Sequence, residues 1–392
     1  MKLTSDPSAL GAALRAIADR VQAAGYTQQN LRERLGVRFP DDIGLLNRAP
    51  TLERLRPARD ATARALRLFY LEADEPSAGI GALLAPRLLR AAVAIGLLAR
   101  RGDHLRARMR LDVHAELRLF ADRRLRAPDL RALGLPRGDM VYPPGSDSAM
   151  LAEAVPVRDG ERVLDLCTGS GIQALSLAPR AAGVVAVDIG RRAAALAGLN
   201  SQVNGAANVE VRVGDLYAPV HGERFDLILA NPPFVPAPTR GPAYHSGGPK
   251  GDRVLKRVMA GLGAHLRPGG RAVAISHLAL RRGETVAGAV APWVRGFDGR
   301  VLALVLETGT PVDLAAAQAL FALQRGFDAY GREVRRWVQY LSGHRIGEIV
   351  LLILAAERTG RAQLDVLEAF QRVLPLPLSQ PPPVHVEKWF GG

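Results

Sequence analysis

The stretch from Arg162 to Phe234 constrains this chain more than any other. It opens RVLDLCTGSGIQALSLA and closes FDLILANPPF. The run Val163-Leu164-Asp165-Leu166 predicts a buried strand, Cys167 to Gly171 a glycine-bearing turn, and Ile172 onward a helix. Gly169 and Gly171 let the backbone turn tightly and approach a ligand closely. A second apolar run, Val184 to Val187, ends in Asp188, and a third, Val209 to Val213, ends in Gly214-Asp215. A fourth, Phe225 to Ala230, ends in Asn231-Pro232-Pro233-Phe234. Four predicted strands thus deliver polar residues at their carboxyl ends, where open α/β sheets bind ligands.

In this order the four strand ends resemble the class I S-adenosylmethionine-dependent methyltransferases. Within that class the resemblance is to enzymes with an Asn-Pro-Pro-aromatic motif: release-factor glutamine methyltransferases, ribosomal RNA guanine methyltransferases and adenine amino-methyltransferases. It covers roughly Tyr142 to Ser276, about a third of the chain. The resemblance implies an α/β fold, a Rossmann-like sheet of seven strands closed by an antiparallel hairpin, with S-adenosylmethionine as cofactor, S-adenosylhomocysteine as product and no metal. It places Asp165, Cys167, Thr168, Gly169 and Gly171 around the cofactor, with Asp188 on the ribose and Asp215 near the adenine amine. Ser146, Ile189, Gly214, Leu216 and Asn231 complete the implied cofactor contacts. Asn231, Pro232 and Phe234 are the implied catalytic residues. The segment Pro143-Pro144-Gly145-Ser146-Asp147-Ser148 is similar to the Pro-Arg-Pro-Asp-Thr-Glu that precedes the first strand in glutamine methyltransferases. Asp147 and Ser148 match its Asp and Thr, while Gly145 and Ala149 depart from its Arg and Glu. That departure bears on acceptor specificity, not on cofactor binding. By itself the segment also reads as a helix N-cap on Ser146 or Asp147.

The chemistry of nitrogen methylation fits these residues. An amide or aromatic amine has a delocalised lone pair, which is localised when both N–H groups donate to fixed acceptors. Asn231 offers a side-chain oxygen and Pro232 a backbone carbonyl, and Phe234 can stack on the planar acceptor. Positioning and fixed dipoles supply the acceleration, and no strong base is needed beside the motif. Cys167 replaces the first glycine of the commoner cofactor loop and reads as a small buried residue, not a nucleophile.

The rest of the chain limits the partners. The net charge is +14, and residues 1–126 hold 23 Lys and Arg against 14 Asp and Glu. Such an excess is either a nucleic-acid footprint or the arginine bias of a GC-rich genome. One cysteine excludes an internal disulfide, and Met1 opens no secretion signal, so the cytoplasm is the expected compartment. The apolar run Ile80 to Ala99 is interrupted by Arg87 and Arg90, so no membrane span is expected.

Three parts are expected. Residues 1–126 form a mainly helical, winged-helix-like domain. Leu10, Leu14, Ile17 and Val21 recur at helical spacing, Arg38 to Pro50 is a loop, and Asp60 caps a helix running to Leu71. Two short helices meet near Pro86, and a basic turn leads to a strand from Leu105 to Val113. Arg106, Arg108 and Arg110 would share its solvent face. Such a module either enters a DNA groove or only packs on the catalytic part. Residues 127–358 form the methyltransferase domain. There Val235 to Asp252 is a flexible loop, Arg271 to Ser276 strand five, Val301 to Leu306 strand six and Ile349 to Ala355 strand seven, with a helical insertion at 313–341. Residues 359–392 form a tail with a short helix and Gln380-Pro381-Pro382-Pro383. The expected function is methyl transfer to a planar nitrogen of a macromolecule, either a base in RNA or DNA or a glutamine in a protein or peptide. A small natural product, or a nucleic-acid-binding protein with a vestigial methyltransferase core, are the alternatives.

Overall fold

A computed structural model describes residues 7–37, 47–123, 133, 135–155, 157–236, 247–368, 386, 389 and 390. In chain order the helices and strands begin with α1 (Pro7–Ala23), α2 (Gln28–Leu35), α3 (Arg48–Leu55), α4 (Ala61–Ala65), β1 (Glu75–Pro76), α5 (Ser77–Ala94), β2 (Leu98–Arg101), β3 (His104–Ala107), β4 (Arg110–His114) and β5 (Leu117–Ala121). There follow α6 (Ser146–Ala154), β6 (Arg162–Leu166), α7 (Ile172–Leu177), β7 (Gly183–Asp188), α8 (Arg191–Asn204), β8 (Val209–Val213) and β9 (Phe225–Ala230). The remainder is α9 (Arg253–His265), β10 (Leu266–Arg281), α10 (Val286–Val290), β11 (Arg300–Gly309), α11 (Pro311–Ala319), α12 (Phe327–Gly343), β12 (Ile346–Glu357) and β13 (Gln363–Glu368). Two compact units divide the chain: residues 1–149, 168–179 and 188–213 form one, and 150–167, 180–187 and 214–392 the other.

In the first unit, the apolar stripe Leu10, Leu14, Ile17 and Val21 of α1 is buried. It shares a core with Leu66, Phe69, Leu83 and Leu84, and with Leu196, Leu199 and Val203 of α8. Asp60 caps α4, accepting from the Ala63 N–H at 3.0 Å, and a π turn (Leu66–Tyr70) continues that helix. Taken as one helix, Ser77–Ala94 is long and apolar enough to cross a membrane. It is two helices, however, broken at Ala85 (φ 61°, ψ 158°) before Pro86, and Ile80, Leu83, Leu84 and Ala92 are buried in this core. β1, β3 and β2 form a small antiparallel sheet, and β4 and β5 a hairpin.

Two expectations fail here. Arg48 to Pro50 belong to α3, since proline is tolerated in a helix's first turn; residues 38–46 of the expected loop lie outside the described residues. The expected strand from Leu105 to Val113 is two strands, β3 and β4, broken at Arg108 and Met109. Arg110 leaves the solvent face that was expected for it. It is 2% exposed, paired with Asp112 at 2.7 Å and stacked 3.7 Å from the Tyr70 ring centre. Burying the guanidinium is tolerable because carboxylate, carbonyl and ring surround it.

One mixed sheet of eight strands has the order β13-β11-β12-β10-β9-β6-β7-β8. The interior strands β6, β7 and β9 are parallel and near-continuous in apolar residues, as buried parallel strands must be. β12 runs antiparallel between β10 and β11, as the expected hairpin requires. The expected count of seven strands is corrected by β13, which pairs in parallel with β11 from Gln363 to Glu368. A strand therefore stands in the first part of the tail, where a short helix was expected; Leu364 and Val366 alternate with Gln363 and Asp365, the period of a strand. Gln380-Pro381-Pro382-Pro383 lie outside the described residues. The insertion consists of α11 and α12. α11 opens on a capping box in which Thr310 and Asp313 exchange hydrogen bonds.

Candidate functional site

The parallel register sets Leu166 level with Val187 and with Ala230. The next residues in each chain segment, Cys167, Asp188 and Asn231, therefore follow at one edge of the sheet. After β6 the backbone turns through Cys167 (φ 61°), Gly169 (φ 55°) and Gly171 (φ 89°), alternate residues in the left-handed region. Only glycine takes this region without strain, so Cys167 carries a cost of about 1–2 kcal/mol. Gly171 ends the turn and starts α7, and Thr168 and Asp165 are buried. Ser146 is the first residue of α6.

Asp188 holds the turn in place. Its carboxylate accepts the Gly169 N–H at 3.0 Å and the Gly190 N–H at 2.8 Å. Burial raises its pKa above the ordinary aspartate value, and the two N–H groups oppose that rise. Ile189, next in sequence, is 60% exposed, a bare apolar surface beside a polar turn. Such a pair fits an adenosyl group, whose ribose donates to a carboxylate and whose ring seeks apolar cover.

After β8, Gly214 is forced by close approach: a Cβ there would sit 2.8 Å from the ring of Pro219. Leu216 is buried with φ 50°. Asp215 is held by Arg257 of α9, which donates to both carboxylate oxygens at 3.0 and 2.9 Å. Tyr217 stacks on His265 at 4.2 Å and donates to the Val258 carbonyl. Burial, helped by the nearby Cys167, raises its phenol pKa.

After β9, Pro232 is buried, while Asn231 and Phe234 are half-buried. The Phe234 ring meets His277 of β10, 4.6 Å between ring centres and tilted by 38°. Val235 packs with Ala315 of α11 and Trp337 of α12, with Phe234, Val334 and Val338 at the margin. The insertion thus backs the Asn-Pro-Pro-Phe strand end. Residues 237–246 of the expected loop lie outside the described residues. The part that follows is tied down. Gly247 donates to the Val235 carbonyl, Tyr340 to the Pro249 carbonyl, and Lys250 pairs with Glu284 at 3.0 Å.

Trp337 lies in the insertion that the sequence offered either as a packed helix pair or as a part of substrate capture; the residues that sequence reasoning missed are His277 and Arg257. Nothing in sequence marked them, since each reaches the site from a distant element. Among the described residues no group of three His, Cys, Asp or Glu is placed to hold a metal ion.

Residues 145–289 match the methyltransferase small domain, and residues 23–108 match a domain of unknown function, DUF7059. The release factor glutamine methyltransferase of Xylella fastidiosa (strain Temecula1 / ATCC 700964) is 41% identical over 122 residues, 28% of this chain and 44% of that protein. The ribosomal protein uL3 glutamine methyltransferase of Bradyrhizobium diazoefficiens is 39% identical over 124 residues, again 28% of this chain and 39% of that protein. The tRNA1(Val) (adenine(37)-N6)-methyltransferase of Salmonella typhi is 39% identical over 97 residues, 23% of this chain and 39% of that protein. This chain therefore spans less than half the length of these relatives. Residues 145–289 are a methyltransferase small domain of the class I S-adenosylmethionine-dependent methyltransferases, homologous to glutamine and adenine N6 methyltransferases.

Proposed function

We propose that this chain transfers a methyl group from S-adenosylmethionine to a planar nitrogen of a macromolecule, with a glutamine amide of a protein as the acceptor. Asn231-Pro232-Pro233-Phe234, at the end of a central parallel strand, carries the reading. The cofactor, when bound, supplies a methyl group on a positively charged sulfur. The turn Cys167 to Gly171, with Ser146, Asp165 and Thr168, cradles it. Asp188 accepts from the ribose hydroxyls, Asp215 from the adenine amine, and Ile189, Gly214 and Leu216 flank the ring. The Asn231 side-chain oxygen and the Pro232 carbonyl accept the two N–H groups of the acceptor and aim its lone pair. Phe234 holds the acceptor's plane. S-adenosylhomocysteine is the product.

Identity to two glutamine methyltransferases supports the protein acceptor, and identity to an adenine N6 methyltransferase supports a second reading, a base in tRNA. In residues 60–107 the order helix, strand, two short helices and hairpin supports a winged helix. The test is tritiated methyl transfer by the full chain into cell extract, a purified bacterial release factor and total tRNA. Label in release factor, removed by protease and not by nuclease, is the expected result. Nuclease-sensitive label establishes the tRNA reading, and label in neither overturns a macromolecular acceptor.

A further inference from the structure

The strongest unexplained surface lies within the segment that matches the domain of unknown function. The second half of α5, Pro86 to Ala94, carries two long polar side chains, Arg87 and Arg90, three apart and therefore on one helix face. Both are exposed. The β2–β3 hairpin carries Arg100 and Arg101, also exposed, beside a tip at Gly102. A Cβ on Gly102 would meet nothing within 4 Å, so that position is open to solvent, while the adjoining Asp103 carbonyl accepts the Ser77 N–H at 2.8 Å and ties the hairpin to the start of α5. Among the described residues none of these four arginines is in an ion pair, whereas Arg64, Arg67, Arg106, Arg110 and Arg123 around them all are. The nearby carboxylates are already answered, Asp74 by Arg106, Glu72 by Arg123 and Glu75 by Arg67 and Arg64. The hairpin tip carries one acid, Asp103, which pairs with His104, and Arg101 acts on Asp74 from a distance, so against four arginines the surface still keeps an excess of positive charge.

We propose that α5 and the β2–β3 hairpin bind the backbone of a B-form DNA duplex, Arg87 and Arg90 from the helix and Arg100 and Arg101 from the hairpin tip. A nine-residue helix is about 13 Å long and lies within a major groove about 12 Å wide. The major groove of A-form RNA is too narrow for it. With only arginine, proline, leucine, alanine and valine between Pro86 and Ala94, the helix lacks the Asn, Gln or Asp that read adenine and cytosine edges. Binding is therefore mainly to phosphates and tolerant of sequence.

The test is fluorescence anisotropy with the full chain and a labelled 20-base-pair DNA duplex of arbitrary sequence, titrated from 50 to 300 mM salt. The wild type should bind in the range of about 1–100 µM, with affinity falling steeply in salt. Replacing Arg87, Arg90, Arg100 and Arg101 by Gln should weaken binding at least about tenfold at 50 mM salt and reduce the logarithmic salt slope by roughly three. A control replacing Arg325, Arg332, Arg335 and Arg361, four exposed arginines of the other unit, should stay within about twofold of wild type. An RNA duplex of equal length should bind at least about fivefold more weakly. Absence of wild-type binding at 100 µM protein, an unchanged affinity and slope in the first variant, an equal loss in the control, or RNA binding as tight as DNA would each overturn the proposal. An unchanged melting temperature in the variants separates lost contact from lost fold.

Discussion

The strand ends after β6 and β7 and the strand end after β9 are built by opposite means. At the first two, the fixing contacts all lie within the segment from β6 to α8: Asp188 accepts N–H groups from Gly169 and from Gly190, and Asn200 of α8 donates to the Ser170 carbonyl. At the third, the fixing contacts come from far along the chain: Phe234 meets His277, and Val235 meets Ala315 and Trp337. A cofactor is the same molecule in every enzyme that uses it, so a short self-supporting turn can serve it. An acceptor differs from enzyme to enzyme, and its pocket is assembled from whichever elements the rest of the chain supplies. If this division holds, substitutions at β9 should change transfer and leave cofactor affinity alone, and substitutions at β7 should do the reverse.

The largest effect is expected at Asn231. Asn231→Ala removes one fixed hydrogen-bond acceptor in a desolvated site, a loss of about 2.7–4 kcal/mol, or roughly 100- to 1,000-fold in transfer rate. Cofactor affinity by calorimetry should stay near wild type. Asn231→Asp should keep part of the rate, since a carboxylate also accepts hydrogen bonds. Full activity of Asn231→Ala with cofactor saturated would mean that the acceptor is not a clamped nitrogen.

Asp188 comes next and should behave in the opposite way. Asp188→Ala loses charge-assisted hydrogen bonds to the cofactor, on the order of 2–4 kcal/mol of affinity. The pH dependence has two signs. Burial raises the folded-state pKa of this carboxyl, so protonation on acidification removes its acceptor capacity at a higher pH than for a surface aspartate, and cofactor affinity falls there. Stability of the cofactor-free protein moves the other way. A raised folded pKa contributes stability that is full below the unfolded pKa and lost as pH rises through the folded one. Calorimetry and melting between pH 8 and 4 on wild type and Asp188→Asn check both, since the amide should show neither trend.

This division also explains what the sequence disclosed. Asp188, Gly169, Gly171 and Asn231 were legible because strand-end position and residue type together state their chemistry within a few residues. β12 was legible as a continuous apolar run where the family resemblance calls for a closing hairpin, and the α11–α12 pair as a helical insertion before it. Illegible were contacts between distant segments. His277 sits in an ordinary strand context in Ala274-Ile275-Ser276-His277-Leu278, and only the fold sets it on Phe234. Arg110 alternated with Arg106 and Arg108 as a solvent residue would, yet Tyr70 and Asp112 bury it. In the same way Arg192 of α8 reaches Asp122 at 2.5 Å, an ion pair with both side chains buried that no local pattern announces.

His277 tests the acceptor side with a smaller effect. An aromatic pair contributes about 0.5–1.5 kcal/mol beyond its buried area, so His277→Ala should raise the acceptor KM by up to about tenfold. The cofactor dissociation constant should not move. His277→Phe keeps a planar ring against Phe234 and should restore the KM; failure to do so would assign the ring nitrogens, not the stacking, as what matters. An equal loss of cofactor and acceptor affinity in His277→Ala would erase the distinction between the two strand ends.

The smallest effect is expected at Arg257, where the local rule has its exception. Asp215 is counted with the cofactor half, yet its fixing partner comes from α9. N–H groups of two turns hold Asp188 in a half-buried place, whereas Asp215 and Arg257 are 47% and 53% exposed at their side chains. An ion pair so open to solvent contributes on the order of 0.2–1 kcal/mol, because water screens the charges and two mobile side chains must be held. Arg257→Ala should therefore weaken cofactor binding no more than about fivefold, and the difference should shrink further at 0.5 M salt, where screening is nearly complete. Asp215→Ala combined with Arg257→Ala should be no worse than Asp215→Ala alone, since Arg257 acts only through the carboxylate it orients. A loss of thirtyfold or more in Arg257→Ala, insensitive to salt, would show that the guanidinium itself contacts the cofactor. The edge after β8 would then belong with the strand end after β9, built from afar, and only the β6 and β7 ends would remain self-supporting.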